Sequence, residues 1–596
     1  MLKFPYGRFN FYNIITENEL YIDRTDRIPM LEDAATSLLF LRPRRFGKSL
    51  LVSVLENYYD IAKENEFDRL FGRLAIGQNP TGRQNQYLIL HLDFSMIPPK
   101  PTYELQVQEI TSYVNTTLKA FARRYKDYLP DKIEVNPNSA TSSLISTLSA
   151  VEEGGQKVYL AIDEYDNFAN EVLMGGNPDS QERYEALVFG EGDFKGLFKT
   201  VKGLMAGAAL ERVFITGVSP VVLHDVSSGY NIATNIYHYE EFNDLCGFTE
   251  NEVASLLRQV ADARNMSDRQ YEDALDTMRT YYNGSLFSDE GGDHIYNPTS
   301  TFYFLRYLQR RGHYPRNLLD SNLAPDHEKI AYASRLPKGD KTIVEIMDDV
   351  NLPSVVKLED RFGIKQMLAQ NHSNKFTLSL LTYLGVLTHD GGFSAGGEML
   401  LRIPNLLVRH LYALRLREML IPDVTERDET EAKAKLLYGQ GQMKPLADFI
   451  ESTIFKIFDN RDYITANELT VKTAFLSLIF DDTFYMIDSE LPVVRGYADL
   501  AMILRPEMRQ YQLVDILLEF KFIKLGDHGL NEKTAKEKTH DELKAMKTVK
   551  KQLTEACQQA KRYSTSLKTK YGTVLKLRTF AVVAVGFEKL IWEEVK

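Results

Sequence analysis

In the stretch FLRPRRFGKSLL, residues 40–51, Gly47, Lys48 and Ser49 stand in the order of the last three positions of a phosphate-binding loop. A lysine at that position reaches the terminal phosphates of a nucleotide, and the hydroxyl after it ligates Mg2+. The glycine that should open such a loop is replaced by Arg42. Because a side chain with a Cβ disfavours positive φ, the loop must follow a different backbone path. A second element lies in KVYLAIDEYDNF, where the apolar run Val158 to Ile162 ends in Asp163 and Glu164. An acid pair at a strand end holds Mg2+ through water with its first carboxylate, and with its second orients or deprotonates an attacking water. Thr216 or Ser219, closing the run RVFITGVSP, is placed to sense a γ-phosphate, and both are also turn formers.

A separate group near the other end of the chain is Asp499, Glu519 and Lys521. Glu519 and Lys521 are two apart and project from one face of a strand, while Phe520 enters the opposite layer. Asp499 falls on the preceding strand of a hairpin joined through RPEMRQ. Hydrolysis of a phosphodiester needs a divalent metal, Mg2+ or Mn2+, hard oxygen ligands to hold it, and a water made nucleophilic. Asp499 and Glu519 provide oxygens, Lys521 stabilises charge or orients the water, and Glu468 at the start of the preceding helix completes the shell. A Glu-x-Lys alone is weak, but charges within LVDILLEFKFI are expensive to bury unless paired or metal-bound. A salt bridge on one sheet edge is the competing account.

These residues need a frame. TSLLFL before the loop reads as a buried strand and SLLVSVLENYYDIA after it as a helix, so a phosphate would meet backbone N–H groups at a helix N-terminus. YLILHLDFS and RVFITGVSP supply further strands of a parallel sheet flanked by helices. GFTENEVASLLRQVADAR opens a helical region, with Thr249 and Glu252 spaced as a capping box. Residues 375–412 alternate helix, strand, Gly-rich turn, strand and helix, a winged-helix-like order. Its last helix, NLLVRHLYALRLRE, is mostly apolar and reads better as core than as a groove reader. PDVTERDETEAKAKL is a linker or an exposed helix. From 460 onward the order is helix, three strands, helix, strand, with Thr465 as N-cap of TANELTVKTAFLSLIF.

The expected fold class is therefore α/β multidomain: a P-loop NTPase over 1–240, a helical lid over 241–335, a helical or winged-helix-like connector over 336–435, and a C-terminal α/β domain over 436–596. Hydrophobic and charged contents of 44% and 26% are those of folded protein. Two cysteines far apart in the chain, Cys246 and Cys557, fit a reducing cytoplasm and leave no Cys-rich zinc site. Neither export nor membrane spanning is expected. The net charge of −11 conceals a basic segment, Lys521 to Arg578, with 15 Lys and Arg against 6 Asp and Glu. Such a segment neutralises phosphates without reading sequence, and without an aromatic platform it does not favour single strands over duplex.

The ordered series YIDRTDRIPMLED, FLRPRRFGKSLL, VYLAIDEYDNF, FITGVSPV, DLCGFTENEV, YYNGSLF and IYNPTSTFYFL resembles the AAA-ATPase-like domain that, in many bacterial proteins, precedes a restriction-endonuclease-like, PD-(D/E)XK, domain. The resemblance runs from about residue 3 to the C-terminus. In that family Arg-Pro-Arg-Arg-Phe-Gly-Lys-[Ser/Thr] is the usual loop, so Arg42 follows the pattern, and Arg44 and Arg45 add charge or, for Arg45, face a neighbouring subunit. The family's Asp-Lys-Thr appears here as Asp23, Arg24, Thr25. Tyr282, Asn283, Asn297 and Pro298 match lid positions with a positioning role, and RGYADLAMIL is the setting of the nuclease family's metal aspartate. Gln559, in EACQQAKRY, matches a helix glutamine that approaches the metal water or DNA, with Gln558 as the other candidate and Lys561 and Tyr563 following. The resemblance implies ATP and Mg2+ as cofactors, nucleic acid as partner with DNA favoured, and a homo-oligomer. It also implies slow ATP turnover and, from the architecture and from no particular residue, a role in defence against foreign nucleic acid. The alternative is a signalling or scaffold NTPase whose C-terminal domain binds nucleic acid or protein without cutting. A helicase is weaker, for want of further motor motifs.

Overall fold

The computed structural model describes residues 1–98, 100–129, 133–167, 193–220, 233–319, 325–336, 338–347, 351–359, 373–459, 467–481, 483–488, 491–493, 496–498, 500–526 and 530–596. Asp499 and Thr465 lie outside them. The chain divides into two compact units, Met1–Arg310 with Ser354–Leu401, and Arg311–Pro353 with Arg402–Lys596.

The first unit is built on a parallel sheet of five strands: β1 (Ser37–Leu41), β2 (Leu88–Asp93), β3 (Val158–Asp163), β4 (Leu210–Gly217) and the short β5 (Thr234–Asn235). Their order across the sheet is β2-β3-β4-β1-β5. Every residue of β1 and β3 is buried, as expected of apolar strands covered on both faces. Each parallel step needs a crossover, supplied by helices such as α1 (Lys48–Tyr59), α2 (Tyr103–Arg124) and α3 (Ala140–Glu153). Because the strands run the same way, Asp93, Asp163, Thr216 and the loop after Leu41 all emerge at one edge, where ligands of such sheets bind.

Beyond the sheet come α4 (Glu250–Ala263), α5 (Asp268–Tyr282) and α6 (Pro298–Arg311). The Thr249 and Glu252 capping box forms, and Ser267 with Gln270 makes a second. Asn297 caps α6 with its Oδ1, which accepts from Ser300 N at 3.1 Å. A small sheet of Ser354–Val355, Thr388–Phe393 and Met399–Arg402 and the helix Asn374–Tyr383 belong, up to Leu401, to the same unit.

In the second unit the apolar helix α7 (Leu406–Leu420) buries Leu406, Leu407, Leu411, Tyr412, Ala413, Leu416 and Leu420, which is the core-packing reading of that stretch. The charged segment after it is a helix, Val424–Gln440, ended by Gly441 at φ 66°. Helix α8 (Glu468–Ile479) is capped by Asn467, whose side chain accepts from Thr470 N at 2.9 Å. The cap therefore sits two residues after the one expected, because Asn offers the N3 amide a carbonyl at the right reach. A five-stranded sheet follows: β6 (Tyr485–Asp488), β7 (Leu500–Leu504), β8 (Asp515–Ile523), β9 (Leu577–Val585) and β10 (Lys589–Glu594), with neighbours in the order β10-β9-β8-β7-β6. Strand β8 is antiparallel to β7 and parallel to β9. The parallel pair is bridged by the long helix α9 (Lys547–Tyr571). Val549, Leu553 and Ala556 of α9 pack on Ile523, Val583 and Val585, and Tyr563 and Leu567 pack on Ala501 and Leu517. The β7 to β8 turn is pinned by the fully buried Asp515, which accepts from Leu504 N at 2.8 Å, Lys576 N at 2.7 Å and the Arg509 guanidinium at 3.1 Å. Strand β10 was not anticipated from KLIWEE.

Candidate functional site

The loop after β1 turns on two left-handed residues, Arg45 at φ 67° and Gly47 at φ 99°, and Arg42 is not among them. The turn that glycine usually makes at the start of the loop is thus made three residues later. Arg42 instead points inward and is fully buried. The Lys48 Nζ, also buried, donates to the carbonyl oxygens of Arg42 at 3.0 Å and Pro43 at 3.3 Å, and lies 3.7 Å from Glu164 Oε1. Thr299, on α6, donates its hydroxyl to the Arg45 carbonyl at 3.2 Å.

At the end of β3 the buried Asp163 accepts on Oδ1 from the Thr216 hydroxyl, in a short contact, and from Glu164 N at 3.0 Å. Ser219 is engaged elsewhere: its N–H and hydroxyl donate to Asp166 at 2.8 Å and 3.1 Å. Of the two candidate sensors, the structure brings Thr216 to the acid pair. Glu164 itself has φ 51°, and burial pushes its carboxyl pKa up, against the opposing pull of Lys48.

Two cavities meet at the loop. A cleft of about 330 Å3 is walled by Tyr6, Ile22, Phe248 and Phe302 and floored by Gly47, Lys48 and Ser49. A second, polar chamber of about 450 Å3 is lined by Arg44, Ser49, Glu56, His91, Asp163 and Glu164, with Asp93. Arg45 lines the cleft, and Phe9, Ser49 and Glu164 line both cavities, so the predicted loop residues and acid pair line two adjoining spaces. Ser49 and Asp163 present hard oxygen donors to the same chamber, a set suited to Mg2+.

Sequence reading missed His91, Asp93 and Glu56. His91 Nδ1 is 2.7 Å from Glu56 Oε1; burial works against its charge, but Glu56 outweighs it and holds the imidazole pKa above its ordinary value. Asp93 pairs in register with Asp163. The signal was present in YLILHLDFS, where Ile89, His91 and Asp93 alternate on one face, but only strand order puts that face beside Asp163.

The Asp23, Arg24, Thr25 triplet is structural. Asp23 accepts from Thr25 N at 2.9 Å and Ala75 N at 2.7 Å, and Arg24 forks onto Glu252 at 2.5 Å and 2.7 Å. Of the lid positions, Tyr282 is buried, Asn283 reaches Glu250 at 3.4 Å, and Pro298 opens α6 beside the cleft.

In the second unit, Glu519 and Lys521 share the β8 face turned to α9, while Phe520 packs on Phe475 of α8 with ring centroids 5.0 Å apart and the rings tilted by 51°. Glu519 is 2% exposed, and Lys521 Nζ lies 3.6 Å from both Glu519 Oε1 and Glu468 Oε1. Gln559 is half-buried, and its Oε1 has no hydrogen-bond partner among the described residues; Gln558 is exposed. Lys561 is exposed and Tyr563 is core. The structure thus brings Glu468, Glu519 and Lys521 together. Among the described residues no group of three His, Cys, Asp or Glu side chains is arranged to hold a metal, and none of the described helices is long and apolar enough to cross a membrane.

Residues 5–227 match a family described as predicted AAA-ATPase, AAA-ATPase-like. An uncharacterized protein of the vnfD 5′ region of Azotobacter chroococcum mcd 1 is 25% identical over 311 residues, 52% of this chain and 52% of that protein. The chain therefore spans about half the length of this curated relative. Among solved structures, the Aeropyrum pernix ORC2 protein in ADPNP–ADP complexes is 12% identical with a TM-score of 0.29, over 67% of this chain and 95% of that one. The Aeropyrum pernix ORC1 protein in complex with DNA is 13% identical with a TM-score of 0.22, over 66% and 93%. Cdc6p from Pyrobaculum aerophilum is 12% identical with a TM-score of 0.23, over 64% and 86%.

Proposed function

We propose that this chain binds and hydrolyses ATP in its first unit and, under nucleotide control, cleaves phosphodiester bonds, those of DNA being favoured, with Glu519 and Lys521 of its second. The observation that carries the nucleotide reading is the convergence of Gly47, Lys48, Ser49, Asp163 and Glu164 on one cleft and its adjoining chamber. On binding, Lys48 exchanges two backbone carbonyls for the terminal phosphates, with Arg44 and Arg45 at the rim. Ser49 and Asp163 would hold Mg2+, which neutralises charge developing on the transferred phosphoryl group. Glu164, leaving Lys48, orients or deprotonates the attacking water; its raised pKa suits it to take a proton. Thr216 fixes Asp163.

For the nuclease the support is the shared face of Glu519 and Lys521, the approach of Glu468, and Gln559 with an unsatisfied oxygen on the helix above. Burying a carboxylate costs energy that a partner ammonium or a cation must offset. Glu519, with Asp499, would hold Mg2+ or Mn2+, and Lys521 would stabilise charge on the scissile phosphate. Exposed Lys547, Lys550, Lys551, Lys561 and Arg562 along α9 supply phosphate contacts. A cytoplasmic homo-oligomer in defence against foreign nucleic acid belongs to the same reading. The distances from Lys521 to both glutamates equally favour a second one, a scaffold NTPase in which this cluster is a salt bridge.

The test is full-length protein with labelled linear and circular DNA, Mg2+ or Mn2+, and ATP or a non-hydrolysable analogue. Cleavage abolished by D499A and K521A supports the nuclease; cleavage that survives both, or none under any condition, leaves the scaffold reading. Unchanged ATP affinity in K48A removes the nucleotide site.

A further inference from the structure

We infer that Arg42 is a positioning residue, a buried strut that sets the path of the phosphate loop and thereby the place of Lys48; this rests on the nucleotide reading above. A guanidinium has five N–H donors and stays charged, so a chain that buries one without a carboxylate must supply other compensation. Arg42 receives it from backbone and rings. It donates to the carbonyls of Leu41 at 2.8 Å, Tyr237 at 3.2 Å and Phe242 at 2.6 Å. Its guanidinium carbon lies 4.1 Å from the Phe287 ring centre and 4.5 Å from that of Phe40, cation–π distances that recover part of the lost hydration. No ion pair of Arg42 occurs among the described residues, and burial pulls its pKa down to about 10. Glycine, which opens the general G-x-x-x-x-G-K-[ST] loop, would carry none of this desolvation.

The strut acts on Lys48 through the backbone. The Arg42 and Pro43 carbonyls are the acceptors of the Lys48 ammonium. Pro43 is wedged against Gly385, where an added Cβ would lie 2.5 Å from Pro43 Cγ, and Thr299 holds the Arg45 carbonyl. The loop is therefore gripped at three successive points by parts of the first unit remote in sequence. A glycine-opened loop shapes itself by its own φ freedom, whereas this one is shaped by what its first side chain holds.

Reversion to the glycine pattern separates these accounts. Isothermal titration of the full chain with ATP, and with AMP, which lacks the β- and γ-phosphates, is carried out on wild type, R42G, R42M, K48A and R42G/K48A. The expected result is an ATP affinity at least tenfold weaker in R42G and R42M, AMP affinity within about twofold of wild type, and a double variant no weaker than K48A alone, since Arg42 acts through Lys48. R42M keeps the side-chain volume and carries the same comparison if R42G does not fold. ATP binding by R42G or R42M within threefold of wild type overturns the inference while leaving the nucleotide site intact. So does an equal loss for AMP, or effects of R42G and K48A that multiply. A wild-type chain that binds no ATP overturns the nucleotide reading, and this inference with it.

Discussion

Replacing Arg24 by lysine, the residue of the related pattern, tests how much of the first unit depends on guanidinium geometry. Arg24 forks onto both oxygens of Glu252, at 2.5 Å and 2.7 Å, while its Nε donates to the Asp244 carbonyl at 2.7 Å. Glu252 also accepts from Thr249 N at 2.8 Å as half of the capping box, so the fork and the start of α4 share one carboxylate. A lysine ammonium carries its three donors on one atom, without the planar fork, so it cannot match both Glu252 oxygens in parallel and reach the Asp244 carbonyl as well. Two charge-assisted bonds are lost, each worth about 1.5–3 kcal/mol in protected surroundings. With side-chain exposures of 14% and 24%, solvent replaces part of that loss, and R24K should weaken local stability by about 2 kcal/mol. The sole tryptophan, Trp592, lies in the other unit and would not report it. Hydrogen exchange read by mass spectrometry does: amides at the start of Glu250–Ala263 should exchange roughly 30-fold faster. Exchange within about twofold of wild type would show that a single ammonium suffices and refute the reasoning.

Glu164 gives a pH dependence. Its folded pKa is raised from 4.5, so the stability it contributes is fully present below that value and is lost as pH rises through the folded pKa. E164Q should therefore gain on wild type in urea denaturation as pH goes from acid to neutral, and a gap that shrinks instead would contradict the burial account. Gly217 is held by crowding, since a Cβ there would lie 2.4 Å from the Tyr165 ring and 2.7 Å from Asp166 Oδ1. G217A should cost about 1–3 kcal/mol in thermal or urea unfolding of the first unit and weaken ATP binding, because the displaced turn carries Thr216.

What was legible in the sequence was local. The strand, loop and helix around Lys48 could be read because a short apolar run, a turn and a 3.6-residue repeat are neighbours in the chain, and the Thr249 box because it spans one helical turn. Glu519 and Lys521 were readable as a pair for the same reason: two residues apart on a strand means one face. Arg42 was not, since Tyr237, Phe242 and Phe287, which make its burial tolerable, come from far along the chain. His91 was overlooked because its surroundings depend on β2 lying next to β3, a matter of strand order. Nor does any composition shift mark where residues 311–353 and 354–401 join different units.

The parallel pairing of Asp515–Ile523 with Leu577–Val585 orders events during synthesis. Until the later strand has left the ribosome and α9 has swung it back, the strand bearing Glu519 and Lys521 has an open hydrogen-bonding edge and no lid of Val549, Leu553 and Ala556. A nascent chain can thus complete its first sheet, with the loop around Lys48, long before the strand that carries Glu519 and Lys521 has gained its parallel neighbour.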